Sequence, residues 1–140
     1  MFIKQLSVFL ENRKGRLDEV LTILKNHDIN IISASLADSS EFGLLRLLVN
    51  DTEKAKMVLK ESGFMAKTND IIAIVIPHKV GSLVEVLSLI DKADINIEYM
   101  YGLSTESDGA AIAIKTSDLD ATVRALESIH PKYYTQEEMR

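Results

Sequence analysis

Two short stretches of this sequence carry the residues whose types and spacing suggest chemistry, and they are near copies of one another. Asn12-Arg13-Lys14-Gly15-Arg16-Leu17 is followed by Asp28-Ile29-Asn30-Ile31, and His78-Lys79-Val80-Gly81-Ser82-Leu83 is followed by Asp94-Ile95-Asn96-Ile97. In each, a glycine stands in a turn that leads into a helix. The first amides of a helix lack intrahelical partners and the helix dipole is positive there, so a carboxylate is well received near Gly15-Arg16-Leu17 or Gly81-Ser82-Leu83. Glycine lets a ligand come close to the backbone. Asn12 and His78, just before the turns, add donor and acceptor capacity. Asn30 and Asn96 open a strand at the other end of the same helix, about one helix length from their own loop, and are better placed to meet a ligand held by the loop of a neighbouring domain. Together these groups suit an α-amino acid at a domain interface, its carboxylate on the helix end and its ammonium on asparagine oxygen and strand carbonyls. A plainer reading competes: a glycine in such a turn and an asparagine at a strand start also occur in βα units that bind nothing.

Catalytic chemistry is poorly provided for. The chain has no cysteine, which removes disulfides, thiolate nucleophiles and cysteine metal sites. Its three histidines, His27, His78 and His130, are far apart, with no His-x-x-x-His spacing or paired carboxylates beside them. His27 and His130 fall at helix ends, where histidine commonly complements the dipole. An enzyme using His78 as a base is the one catalytic reading, and it lacks a partner carboxylate. The expectation is a non-catalytic protein without cofactor or metal.

The elements that must position these residues follow from periodicity. Residues 5–10 alternate Leu6, Val8, Leu10 against Gln5, Ser7, Phe9, the period of a strand. From Gly15 the period changes: Leu17, Val20, Leu21 and Leu24 form one helical stripe as far as His27. Asp28 falls where a left-handed residue is often required. Strands are expected over 30–38 and 43–49, joined through Ser39-Ser40-Glu41-Phe42. A helix capped near Asn50-Asp51 ends at Gly63, and 64–68 makes a short fourth strand. The second half repeats the order: strand 71–76, helix 82–93 with a Ser82-x-x-Glu85 capping box, strands 95–104 and 109–115, helix 117–128, and an edge strand at Tyr133-Tyr134-Thr135. Gly15 and Gly81, Leu17 and Leu83, Glu19 and Glu85, Asn30 and Asn96, and Gly43 and Gly109 all match at an offset of 66 residues. This is a duplicated β-α-β-β-α-β unit, with domains at 1–69 and 70–140 and Asn69-Asp70 as the only candidate linker. At roughly 70 residues each half is near the lower limit for an independent core. Residues 71–76 are apolar almost throughout and 44–49 nearly so, which predicts sheets buried on both faces.

A net charge of −5 and a pI near 5.2 argue against a binder of nucleic-acid phosphates. RNA-recognition modules share the element order, but the third strands here, 44–49 and 110–114, offer no aromatic for stacking. No apolar stretch approaches the ~20 residues of a membrane span, so a soluble, cytoplasmic protein is expected.

The repeated stretches resemble the ACT domain, a small regulatory module of amino-acid metabolism. Its pattern runs roughly from a polar residue through Pro-Gly-x-Leu and a helix to Gly-Ile-Asn-Ile, and it is matched here twice, over almost the whole chain. The resemblance implies an α+β fold of two ferredoxin-like ACT domains side by side, with a continuous antiparallel sheet and helices on one face. It also implies an amino acid bound at the interface between domains, with Asn12, Gly15, Asn30, His78, Gly81 and Asn96 at ligand-contact positions. The neighbouring Arg13, Lys14, Arg16, Leu17, Ile31, Val80, Ser82, Leu83 and Ile97 complete the candidate site. Two departures stand out: Lys14 and Val80 replace the proline, and Asp28 and Asp94 replace the glycine. The functional expectation is a regulatory sensor, paired as a homodimer, that binds a small amino acid and acts on an amino-acid metabolic enzyme. The alternative is a scaffold of the same fold with degenerate sites.

Overall fold

The computed structural model describes residues 2–11, 13–38, 41–77, 79–103 and 109–139. In chain order the elements are β1 (Ile3–Glu11), α1 (Arg16–Asn26), β2 (Ile31–Asp38), β3 (Phe42–Val49), α2 (Thr52–Glu61), β4 (Met65–Pro77), α3 (Ser82–Lys92), β5 (Ile97–Leu103), β6 (Gly109–Thr116), α4 (Leu119–Leu126) and β7 (Lys132–Tyr133). The fold is α+β with two βαββαβ units. Contacts divide the chain into one unit of Lys4–Asn69 with the C-terminal turn Glu137–Met139, and another of Asp70–Gln136 with residues 2–3.

In the first unit the strand order is β2-β3-β1-β4, with β1 and β2 both antiparallel to β3. Leu6, Val8, Leu45 and Leu47 pack under Val20 and Leu24 of α1 and Val58 and Leu59 of α2. In the second unit β5-β6-β4-β7 repeats the order, all pairs antiparallel. Ile72, Ile74 and Ile114 there meet Val86 and Ile90 of α3 and Leu126 of α4. The opposite faces of the central strands are buried too. Gln5, Ser7 and Leu48 in one unit, and Ile71, Ala73 and Ala113 in the other, are each at most 5% exposed.

Asn69 and Asp70 do not form a linker. They lie inside β4, a single strand of 13 residues in place of the two short strands expected. A polar pair is tolerated there because Asn69 has buried partners: Gln5 Nε2 donates to Asn69 Oδ1 at 3.3 Å and to Ser7 Oγ at 3.2 Å, which relieves the cost of hiding an amide. The expected 117–128 helix is also shorter, since α4 tightens into a 3₁₀ turn over Glu127–Ile129 before His130 turns left-handed at φ 47°. The final strand covers Lys132–Tyr133 rather than residues 133–135.

The repeat is not uniform. Leu6 pairs with Leu47 and Ile72 with Ile114, so the offset is 66 on β1/β4 but 67 on β3/β6. Gly43 therefore corresponds to Ala110, not to Gly109. The extra residue falls between Leu103 and Gly109, because Ala37 pairs with Leu44 while Leu103 pairs with Ala111.

Three helices end alike. After α1, Ile29 N–H donates to Leu24 O and Asp28 N–H to Lys25 O; after α3, Ile95 and Asp94 repeat this on Ile90 and Asp91; after α2, Phe64 and Gly63 do so on Leu59 and Lys60. These are Schellman closures, with a left-handed residue one step past the C-cap and an apolar contact behind it. Asp28 and Asp94, both at φ 59°, hold a position that glycine fills after α2.

Asp28→Gly and Asp94→Gly should each stabilise the protein by about 0.5 kcal/mol, the left-handed penalty of an L-residue less glycine's entropy cost, as read by urea unfolding; destabilisation by either would contradict the closure described. Tyr133 buries its hydroxyl without a partner, and burial first, then the Glu127 charge, raises its pKa above 10.0. The folded state then holds the phenolic proton more tightly than the unfolded chain, so stability declines as pH rises from about 10 through the raised value. Tyr133→Phe should flatten that alkaline decline and be neutral to stabilising at pH 7, since it removes an unsatisfied buried group.

Candidate functional site

The two strand-to-helix turns follow one path. Arg13 N–H donates to Glu11 O at 2.8 Å, Arg16 N–H to Arg13 O at 3.4 Å and Glu19 N–H to Gly15 O at 3.0 Å. In the second repeat Lys79 donates to Pro77 O at 2.9 Å, Ser82 to Lys79 O at 3.3 Å and Glu85 to Gly81 O at 3.1 Å. Gly15 and Gly81 are the helix N-caps, left-handed at φ 91° and 85°. A side chain is disfavoured there by φ and not by crowding, since a Cβ would meet nothing within 4 Å. Among the described residues nothing crowds either glycine.

The four α-helices among the described residues are capped in two ways. Asp51 accepts from Lys54 N–H at 3.1 Å and Asp118 from Ala121 N–H at 3.0 Å, so α2 and α4 carry their own carboxylates. Glycine at the start of α1 and α3 supplies no such oxygen. The expected capping box at Ser82-x-x-Glu85 is not formed: Ser82 is the first residue inside the helix, one place too late to cap it, and its buried Oγ has no partner.

At the far end of each helix the asparagine is held by its backbone. Asn30 N–H donates to Asn50 Oδ1 at 2.9 Å and Asn50 N–H returns to Asn30 O at 3.1 Å. Asn96 N–H donates to Ser117 Oγ at 3.3 Å and Ser117 N–H to Asn96 O at 2.9 Å. Asn30 and Asn96 are exposed. The pinning residues Asn50 and Ser117 were not singled out from sequence as partners. Their signal was a polar residue directly before the Asp cap of the following helix in both repeats.

The first repeat separates its two ends. A concavity of about 530 Å³ is lined by Leu21, Lys25, Asp28, Asn30 and Asn50 among others. A smaller one of about 160 Å³ is lined by Arg13, Arg16, Leu17, Leu36 and Asp38 among others. The two share no residue, as expected for the ends of an 11-residue helix, about 16 Å long.

Of the remaining candidates, Arg13, Lys14 and Val80 are exposed, while Ile31, Leu83 and Ile97 are half-buried against the cores. Leu17 is 37% exposed. Arg16 is committed within its own unit: its guanidinium lies 2.9 Å from Glu19, 4.0 Å from Glu11 and 4.2 Å from the centre of the Phe64 ring. Asn12 and His78 lie outside the described residues. Among the described residues no cluster of metal-ligating side chains occurs.

A family model described as an ACT domain pair matches residues 1–137. Among solved structures, protein BT0572 from Bacteroides thetaiotaomicron matches with a TM-score of 0.91 and 33% identity, over 99% of this chain and 96% of that one. The ligand-free regulatory subunit of aspartate kinase from Thermus thermophilus matches over 91% of each chain, with a TM-score of 0.63 and 14% identity. E. coli aspartokinase III, in complex with aspartate and ADP, matches over 91% of this chain and 31% of that one, with a TM-score of 0.54 and 19% identity. The last two likenesses are of fold alone. No curated protein sequence matches the chain. With its doubled turn, its left-handed glycines and the family match over nearly its full length, the chain belongs to the ACT domain pair family.

Proposed function

We propose that this protein is a non-catalytic, cytoplasmic regulatory sensor that binds a small α-amino acid where ACT domains of two copies of the chain meet. The observation that carries the reading is the division of helix caps. α2 and α4 bring their own carboxylate, whereas the equivalent ends of α1 and α3 have glycine, an open approach and a positive dipole end. The ligand carboxylate lies against Gly15-Arg16-Leu17 or Gly81-Ser82-Leu83. Its ammonium is received by Asn30 or Asn96 of a neighbouring domain, because each asparagine stands a helix length from its own loop.

A homodimer supplies such a neighbour. Binding that favours one arrangement of the dimer over another provides the coupling energy that passes to a partner, an enzyme of amino-acid metabolism in this reading. The acidic balance of the chain disfavours nucleic acid as that partner, and no described helix is long and apolar enough to cross a membrane.

The test is a thermal-shift panel of the standard amino acids on the purified protein. A ligand at 100 times its dissociation constant should stabilise the protein by about 2.7 kcal/mol. Asn12→Ala and Asn30→Ala should abolish that stabilisation and leave the unliganded melting temperature unchanged, because Asn30 is exposed and its strand is held by main-chain and Asn50 contacts. Full stabilisation in both variants would sink the site assignment. Silence across the panel would leave a scaffold.

A further inference from the structure

The two repeats place opposite charges at one equivalent position, at the asparagine end of their first helix. In the first repeat the concavity of about 530 Å³ there is lined by apolar Leu21, Ile29 and Ile31, with Lys25 and Asp28 beside Asn30. The offset of 66 that carries Gly15 to Gly81 and Asp28 to Asp94 also carries Lys25 to Asp91. Asp28 and Asp94 are common to both repeats, two residues before the asparagine. Lys25 and Asp91 are where the repeats differ. All four are exposed, and none forms an ion pair among the described residues.

Helix stability does not account for the difference. The C-terminal end of a helix favours a cation and disfavours an anion. Lys25 serves that end of α1, and Lys92 serves that end of α3. Lys92 falls one place later, at the position equivalent to Asn26, which does not line the concavity of the first repeat. Each helix therefore has its basic residue, but only α1 has it at the position that faces a ligand. Asp91 meanwhile stands in the last turn of α3 against the dipole. A residue that breaks a local rule with no compensating contact marks a place where function, and not folding, sets the choice.

We propose that this position sets the class of ligand side chain: the first repeat takes an amino acid with an acidic side chain, the second one with a basic side chain. The inference rests on the amino-acid reading above, in which Asn30 or Asn96 holds the ligand ammonium. Every amino acid presents that ammonium, and the aspartate two residues before the asparagine, the same in both repeats, suits it. What varies between amino acids is the side chain, and what varies between the repeats is the charge one helical turn before that aspartate. From Asn30 the ligand side chain runs over Leu21 and Ile31 to the Lys25 ammonium, which makes a charge-assisted bond with a carboxylate. Asp91 makes the corresponding bond with an ammonium or guanidinium and repels a carboxylate.

Calorimetric titration of the full chain with L-aspartate, L-glutamate, their side-chain amides and L-lysine tests this. At least one of the acids should bind about tenfold more tightly than its amide, the scale of a lost charge-assisted bond. Lys25→Asp, which gives the first repeat the residue of the second, should weaken that acid by about tenfold or more and let L-lysine occupy both repeats instead of one. Asp91→Lys should do the reverse. Both positions are exposed, and each repeat already carries at this helix end the residue introduced into the other, so the unliganded melting temperature should change little. If the amides bind as tightly as the acids, or if neither exchange alters which ligand is preferred, the inference falls and the amino-acid site stands. If none of the probes binds, the site falls with it.

Discussion

The first helix of each unit is bracketed by two left-handed residues, and the candidate chemistry depends on that bracket. Gly15 and Gly81 turn β1 and β4 into α1 and α3, while Asp28 and Asp94 turn those helices back into β2 and β5. Each bracket sets which amides face outward at one end and which asparagine follows at the other. The entering residue must reach φ near 90°, which only glycine does without strain. The leaving residue sits at 59°, within the range that aspartate accepts. Losing glycine at the exit is thus affordable, whereas losing it at the entrance would close the turn.

Around this shared frame the repeats have diverged in ways that keep packing and change chemistry. Val49 and Ala55, apolar and buried in the first unit, correspond to Thr116 and Thr122, whose hydroxyls meet at 2.7 Å in the second. Thr122 also donates to Asp118 O at 2.8 Å, so this buried pair is satisfied. The change from Arg16 to Ser82 is of another kind: it replaces a guanidinium that is stacked and ion-paired, though its Nε is buried without a partner, by a hydroxyl that is likewise buried without one.

Much of the fold could be read from periodicity because most elements obey a single period. The stripe at Leu17, Val20, Leu21 and Leu24 and the alternation through Leu6, Val8 and Leu10 left little ambiguity, and Asp28 marked its own left-handed turn. Three features were hidden, each for a physical reason. Asn69-Asp70 looked like a linker because the buried amide network of Gln5 and Ser7 that accommodates Asn69 joins residues more than 60 positions apart. The Gly43 and Gly109 match looked equivalent because a one-residue insertion in a hairpin shifts register without disturbing apolar alternation. Ser82 looked like a cap because the motif does not reveal which residue is the last outside the helix; the left-handed glycine before it takes that role. For the candidate site, residue types and spacing singled out both turns and both asparagines. The backbone clamps from Asn50 and Ser117 depend on contacts 20 residues or more away in sequence.

The central claim is that the glycine turns receive a carboxylate on their main-chain amides. It is tested most directly by amide chemical shifts of the ¹⁵N-labelled protein during titration with each standard amino acid. The account predicts that at least one of them saturably shifts the amides of residues 15–17, of 81–83, or of both. If every amino acid leaves those amides unmoved, or binds while shifting only others, the glycine turns are not the site and the account is wrong.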